Sequence, residues 1–366
     1  MDFKLIVKVV DSCNLECGYC YYFSNIVDAN TKSDKVIMSQ KIVNELMASF
    51  FRHNKNGAGF TWHGGEPLLA GMDFFENLVK SQNLNNTKNL KVTNSVTTNG
   101  LLLNDTWASF FVANNFSVGV SIDGPYDLNF KTRNTPADKF KKILEGIDSL
   151  VRYGVKFGII CVVCKESVGK EREIFDFYNS LGIEDLAFLP CFLLNNDQSI
   201  NTKLSISAKE YGKFLVSFFD IWTQSGVKGI DIRNFNEALR FKSNLPNLFC
   251  ENRSECHQHL TISPDGKVYM CDNFAHTKDN VVGKVGDNFS NFESSSRFME
   301  LKRASCDLPD SCKNCKYVSG CLGGCKYHRW VNSRDFSRPQ VYCYSKKLLY
   351  SHIDKVFDSL GIEAMI

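Results

Sequence analysis

Lys4-Leu5-Ile6-Val7-Lys8-Val9-Val10 is followed, after two residues, by Cys13-Asn14-Leu15-Glu16-Cys17-Gly18-Tyr19-Cys20. The first stretch is apolar and β-branched, which suits a buried strand. The second sets three thiols at C-x3-C-x2-C in the turn directly after it. Outward from this pair, the alternation of a short apolar run with a longer helical pattern repeats. Strand-like runs fall at 59–62, 92–98, 117–122, 156–163 and 185–189, with helical patterns at 39–52, 73–82, 104–114, 138–153 and 170–181 between them. Ser39 and Asn104 stand where helix N-caps would accept from first-turn amides. Six strands alternating with helices predict parallel βαβ units that close into a barrel or part of one, since a full barrel needs eight. The cysteine loop then lies at the C-terminal end of the first strand, where such folds place their active centres.

The chain has 366 residues, 43% hydrophobic, 23% charged and 13% aromatic, so it reads as a globular α/β chain with a sizeable core. Its net charge of +3 is too small and too dispersed to indicate a nucleic acid or a membrane surface as partner. The N-terminal apolar stretch is too short for a signal sequence, and no window offers the ~20 apolar residues of a transmembrane helix. The expectation is a cytoplasmic protein. In a reducing compartment the 15 cysteines are then better explained as metal ligands or catalytic groups than as disulfides. After residue 201 the rhythm changes to helices at 208–224 and 234–241, a cysteine-dense region at 250–343 and a last helix at 345–360. These patterns divide the chain into a first domain, 1–235, and a second, 236–366.

Three thiolates on one loop suit a cubane iron–sulfur cluster with one iron left open to bind something else. A zinc knuckle with a distant fourth ligand has the same spacing. Together with motifs downstream, the loop resembles the radical S-adenosylmethionine (SAM) superfamily. The resemblance implies that Cys13, Cys17 and Cys20 hold a [4Fe–4S] cluster whose open iron chelates SAM. Tyr19 and the pair Tyr21-Tyr22 match the aromatic positions around the third cysteine, which places Tyr22 at the cofactor. Gly64-Gly65-Glu66-Pro67 resembles the family's GGE motif, giving Gly65 and Glu66 as contacts of the SAM amino group. Thr97-Thr98-Asn99-Gly100 and Ser121-Ile122-Asp123-Gly124 resemble the segments that contact ribose and carboxylate, through Asn99 and Ser121, with Arg133 as a carboxylate partner. The strand ending at Val163 resembles the one on which adenine rests.

The second half carries Cys256-x9-Gly266-x4-Cys271, then Cys312-x2-Cys315-x5-Cys321-x3-Cys325, and finally Cys343. Spacing alone also allows two zinc sites. The pattern is similar to SPASM domains, the auxiliary-cluster extensions of radical SAM enzymes that act on peptides. The resemblance assigns Cys250, Cys256, Cys271 and Cys325 to one auxiliary cluster, and Cys312, Cys315, Cys321 and Cys343 to another. The implied architecture is a partial (β/α)6 TIM-type barrel with a C-terminal cysteine-rich SPASM domain, loaded with SAM and three [4Fe–4S] clusters. Cys161, Cys164, Cys191 and Cys306 remain outside these sets. Cys161 reads as a buried hydrophobe, and an extended strand would turn Cys161 and Cys164 to opposite sides despite their redox-like spacing.

Within the superfamily the chain looks most similar, end to end, to the anaerobic sulfatase-maturating enzymes. An aspartate directly after an auxiliary-ligand cysteine is the family's general base, and Asp272 holds that position. The implied reaction oxidises a serine or cysteine of a sulfatase polypeptide to Cα-formylglycine, after hydrogen abstraction from Cβ by a 5′-deoxyadenosyl radical. Implied partners are a peptide or unfolded sulfatase segment carrying Cys/Ser-x-Pro-x-Arg and a low-potential donor such as flavodoxin or ferredoxin. His63 departs from the family, where an amide side chain is expected, and the 192–201 segment is a candidate peptide-contact loop without a motif. Only 12 residues precede Cys13, so the expectation is a barrel with no peptide-binding domain ahead of it. Two other readings fit the cysteines: a maturase forming thioether or carbon–carbon links in a ribosomal peptide, and a zinc-stabilised protein-binding scaffold.

Overall fold

The computed structural model describes residues 2–21, 36–195, 197, 199–227, 229–253, 255–275 and 280–360. Strands β1 (Lys4–Val10), β2 (Ala58–Gly64), β3 (Val92–Thr98), β4 (Phe116–Ser121), β5 (Phe157–Val163) and β6 (Asp185–Pro190) lie side by side in chain order, all parallel. Helices α1 (Gln40–His53), α2 (Met72–Asn85), α3 (Asp105–Ala113), α4 (Tyr126–Arg133), α5 (Ala137–Tyr153) and α6 (Glu171–Ser180) fall between them. In α1 the buried residues are Val43, Leu46, Met47, Phe50 and Phe51, the spacing that turns one stripe of a helix to a sheet. The Ser39 and Asn104 side chains cap α1 and α3 by accepting from the amides of Ile42 and Trp107. Parallel strands covered by helices must be apolar on both faces, which explains why Val7, Val9 and Val10 are all fully buried.

Two features go beyond the sequence reading. A two-residue β7 (Asp231–Ile232) continues the parallel series beside β6, between α7 (Ala208–Gln224) and α8 (Arg233–Lys242). More important is the other edge. β8 (His259–Ile262) pairs parallel to β1, with Lys4 opposite His259 and Val7 opposite Ile262, and β9 (Lys267–Tyr269) and β10 (Val281–Lys284) follow antiparallel. The described strands therefore form one sheet of ten, β10-β9-β8-β1-β2-β3-β4-β5-β6-β7, so the cysteine-rich half is hydrogen-bonded to the barrel's first strand. The pairing also leaves β1 without a free edge.

The last helices are α9 (Ser296–Cys306), whose Phe298 packs edge-on against Phe3 beside β1, then α10 (Lys326–Ser333) and α11 (Cys343–Ser359). α11 crosses α7 closely, since a Cβ at Gly212 would lie 3.0 Å from the Ser345 Cα, and the Ser345 hydroxyl donates to the Ala208 carbonyl at 2.6 Å. Among the described residues no helix is long and apolar enough to cross a membrane.

Candidate active site

The cysteine loop is clamped by the ends of its neighbours. The amides of Gly65 and Glu66 donate to the carbonyls of Val10 and Ser12 at 3.0 and 2.9 Å. This close approach explains the paired glycines: a Cβ on Gly65 would stand 2.1 Å from the Ser12 carbonyl oxygen, and one on Gly64, at φ +140°, 2.5 Å from that of Val10. Glu66 is completely buried and accepts from the Thr98 hydroxyl (2.7 Å), the Asn99 amide (2.7 Å) and the Leu68 amide (3.1 Å). Burial pushes its carboxyl up to about 7, against the opposing pull of these donors. The Asn99 side chain reaches the loop itself, donating to Asn14 Oδ1 at 2.7 Å and to the Cys13 sulfur at 3.5 Å.

A second clamp comes from β4 and α4. Asp123, fully buried, accepts from the Tyr19 hydroxyl and the Thr132 hydroxyl, each at 2.7 Å, and from the Val162 amide at 3.0 Å. Arg133 donates to the Tyr19 oxygen at 2.7 Å and stands 3.9 Å from Asp123. Its buried Nε has no acceptor among the described residues, so the guanidinium keeps one donor for an anionic group. Sequence reasoning singled out Arg133 but missed Asp123, although it sits inside the quoted Ser121-Ile122-Asp123-Gly124 segment. Ser121 and Val163 end β4 and β5 at the same mouth, Val163 buried and Ser121 partly exposed. Tyr22 lies outside the described residues.

β8 runs parallel to β1 and β9 turns back antiparallel beside it, so the chain leaves β9 at Tyr269, opposite Thr261, and reaches Asp272 three residues on. Its carboxylate meets the Lys8 ammonium at 2.8 Å and accepts from the Tyr21 hydroxyl at 2.5 Å. Lys8 is 3% exposed and lies in register with His63 on β2, so β1, β2 and the cysteine-rich half converge here. Burial holds the His63 ring below its ordinary pKa; Asp272 opposes this and Lys8 reinforces it. The Nδ1 atom of His63 accepts from the Gly64 amide at 2.8 Å, leaving the other ring nitrogen for different contacts. Lys8 escaped the sequence reading because it was taken only as one residue of an apolar strand.

The thiols fall into three neighbourhoods. Burial lifts Cys13 to about 11, and the charges of Glu66 and Cys17 add to this. Cys17 is raised in the same way, with Cys20 contributing. Cys271 is pushed well above the usual thiol value by burial and then by Cys256, Cys325 and Cys250, while Cys250 and Cys325 each reach about 12. Cys312 and Cys343 are raised by burial and by Cys321 and Cys315. Thiols this crowded and desolvated resist ionisation unless a strongly cationic group sits among them, the condition an iron–sulfur core meets. Among the described residues no three His, Cys, Asp or Glu side chains stand close enough to hold one metal ion.

The remaining thiols have other surroundings. Cys161 is fully buried and donates to the Asp123 carbonyl at 3.5 Å. Continuing the β5–β6 register past Val163 and Pro190 sets Cys164 beside Cys191, and their thiols are hydrogen-bond neighbours. Cys306 is exposed on α9. The candidate loop at 192–201 is tied back by an antiparallel bridge between Leu194 and Ile200.

Comparison with known proteins gives concordant likenesses. The model of the Radical SAM superfamily matches residues 7–178, and that of the SPASM iron–sulfur cluster-binding domain matches 250–316. The chain is 30% identical over 355 residues, 95% of each chain, to the cysteine-type anaerobic sulfatase-maturating enzyme of Clostridium perfringens (strain 13 / Type A). It is 27% identical over 386 residues to the serine-type enzyme of Bacteroides thetaiotaomicron, covering 99% of this chain and 92% of that one. Its structure is similar to that of native anSMEcpe with bound AdoMet and Cp18Cys peptide, with a TM-score of 0.87, 27% identity and 99% of each chain covered.

Proposed function

Since the chain belongs to the radical SAM enzymes of the anaerobic sulfatase-maturating type, we propose that it oxidises a serine or cysteine of a sulfatase polypeptide to Cα-formylglycine, with Asp272 as the base. Cys13, Cys17 and Cys20 would hold the SAM-binding cluster. Cys250, Cys256, Cys271 and Cys325 would hold one auxiliary cluster, and Cys312, Cys315, Cys321 and Cys343 the other. When bound, these groups supply a 5′-deoxyadenosyl radical that takes hydrogen from an unactivated carbon, and an acceptor for the electron left behind.

The chain's own residues prepare the ground for that chemistry. Glu66 and Asn99 fix the cysteine loop to β3, while Asp123 aligns Tyr19 and Arg133. The free Nε donor of Arg133 suits a ligand carboxylate, and the nearby Glu66 carboxyl suits its ammonium. Tyr22, Gly65, Ser121 and Val163 complete the proposed cofactor contacts. Once the target Cβ has lost hydrogen, its hydroxyl or thiol becomes acidic, and Asp272 takes that proton. The Lys8 ammonium keeps the carboxylate charged for this step, and the Tyr21 hydroxyl fixes its orientation. A serine yields the aldehyde directly; a cysteine yields a thioaldehyde that water converts, releasing sulfide.

The observation that carries this reading is the Asp272 carboxylate, held by Lys8 of β1 and by Tyr21 just after the cysteine loop, one residue after a proposed cluster ligand. The test is to incubate anaerobically reconstituted protein with SAM, a low-potential flavodoxin- or ferredoxin-type donor and a peptide containing Cys/Ser-x-Pro-x-Arg. Mass spectrometry should find a new carbonyl at the Cys or Ser. Peptide left intact while SAM is cleaved would reject this substrate.

A further inference from the structure

The segment Cys321-Leu322-Gly323-Gly324-Cys325 joins the two C-terminal thiol groups, and its three central residues all lie in the left-handed region, at φ +46°, +78° and +72°. The two glycines take this backbone freely, whereas Leu322 adopts it against the preference of its side chain, and its carbonyl is held by a specific contact. That contact is Lys326: its ammonium takes the carbonyls of Leu322 at 2.8 Å and Gly324 at 3.2 Å. The residue is 1% exposed and opens α10, where the helix dipole opposes a cation.

No carboxylate lies within ion-pair distance of Lys326 among the described residues; burial pushes its ammonium down, and the ionisable groups that face it are the Cys256, Cys325 and Cys321 thiols and the Arg329 guanidinium. A buried ammonium without a counter-charge costs several kcal/mol. Thiolates from both C-terminal groups are thus its available partners. Arg329, one turn on and equally buried, is committed to the Phe336 and Ala304 carbonyls and faces Cys312 and Cys256. Gln340 adds a neutral link, donating to the Cys321 sulfur at 3.8 Å and accepting from the Cys325 amide at 3.3 Å. It packs so tightly on the turn that a Cβ at Gly324 would lie 2.2 Å from its Cδ.

We propose that Lys326 is a positioning residue shared by the two C-terminal cluster sites, its fixed charge raising the reduction potential of both. This rests on the reading of those thiols as two auxiliary cluster sites. A cubane on four thiolates is anionic and becomes more so on reduction. A cation held between two such groups, away from water, favours the reduced form of each. An auxiliary cluster held there would accept the electron left on the target while Asp272 takes the proton, and a higher potential would ease that oxidation.

The test compares unmodified protein with Lys326→Gln and Lys326→Arg, each reconstituted anaerobically, by iron analysis and redox titration monitored by electron paramagnetic resonance. In Lys326→Gln both auxiliary midpoints should move to more negative potential, while the SAM-site midpoint stays and Lys326→Arg keeps all three. Unchanged auxiliary midpoints in fully loaded Lys326→Gln would overturn the proposal. Should Lys326→Gln lose auxiliary iron, retention by Lys326→Arg supports the role of charge, and equal loss in both variants overturns it in favour of shape. Absence of auxiliary iron from the unmodified protein is a distinct result that removes the cluster reading itself.

Discussion

Lys8 and Asp272 form a 2.8 Å ion pair between the barrel's first strand and the cysteine-rich half. The pair exists because β8 adds to β1 in parallel and ties the cysteine-rich half, Asp272 included, to that strand. Lys8→Met should leave a largely buried carboxylate without its cation, costing up to about 3–5 kcal/mol of stability and lowering the aldehyde yield per SAM cleaved. Lys8→Arg should restore much of both. Chemical denaturation together with the ratio of aldehyde to 5′-deoxyadenosine checks this; an unchanged ratio in Lys8→Met would deny the pair any part in the chemistry.

Asp272→Asn removes the base while keeping shape and the Tyr21 contact. SAM cleavage should continue, and aldehyde formation should fall by roughly 10²–10⁴, the usual contribution of a positioned general base. Paired assays of 5′-deoxyadenosine and peptide carbonyl separate the two steps. Aldehyde formation at the unmodified rate would reject Asp272 as the base.

These residues also show what the sequence discloses. The βαβ rhythm was legible because each strand is an apolar run and each helix has a clear face, as with Val43, Leu46, Met47 and Phe50 on α1. The cysteine spacings marked two groups of thiols and only the resemblance divided the second; in the structure Cys271 has Cys256, Cys325 and Cys250 as charged-state neighbours, and Cys312 has Cys321 and Cys315. What escaped was short or non-local. β8, β9 and β10 have three or four residues each, too few for a period, yet they set where Asp272 lies. α4 was missed because its eight residues carry little amphipathic pattern, although it presents Thr132 and Arg133 to Asp123. Cys164 has x2 spacing from Cys161, but its neighbour is Cys191, because strand pairing and not chain proximity sets contacts between parallel strands.

Glu66 makes stability depend on pH. Its folded carboxyl titrates near 7, above the 4.5 of an unperturbed Glu, with burial as the leading cause. Between those values the folded chain binds more protons than the unfolded one, so this group's contribution is complete below about pH 4.5 and is lost as pH rises through 7. The loss is on the order of 3 kcal/mol. Melting temperature measured anaerobically from pH 5 to 8 should therefore decline more steeply in the unmodified protein than in Glu66→Gln. Parallel curves would exclude Glu66 as the source.

Gly65→Ala probes the clamp on the cysteine loop. The added Cβ would fall 2.1 Å from the Ser12 oxygen and 2.5 Å from the Ser12 carbonyl carbon, both backbone atoms, so the strand end and loop must separate. Cys13 follows Ser12 immediately, and its displacement also breaks the Glu66 amide bond to Ser12. Loss should therefore be selective. Iron analysis after anaerobic reconstitution should show about four fewer irons per chain, SAM binding should disappear, and the C-terminal iron should remain. Full iron content with normal SAM binding would mean that the loop can shift without giving up its ligands, and that the paired glycines serve the turn alone.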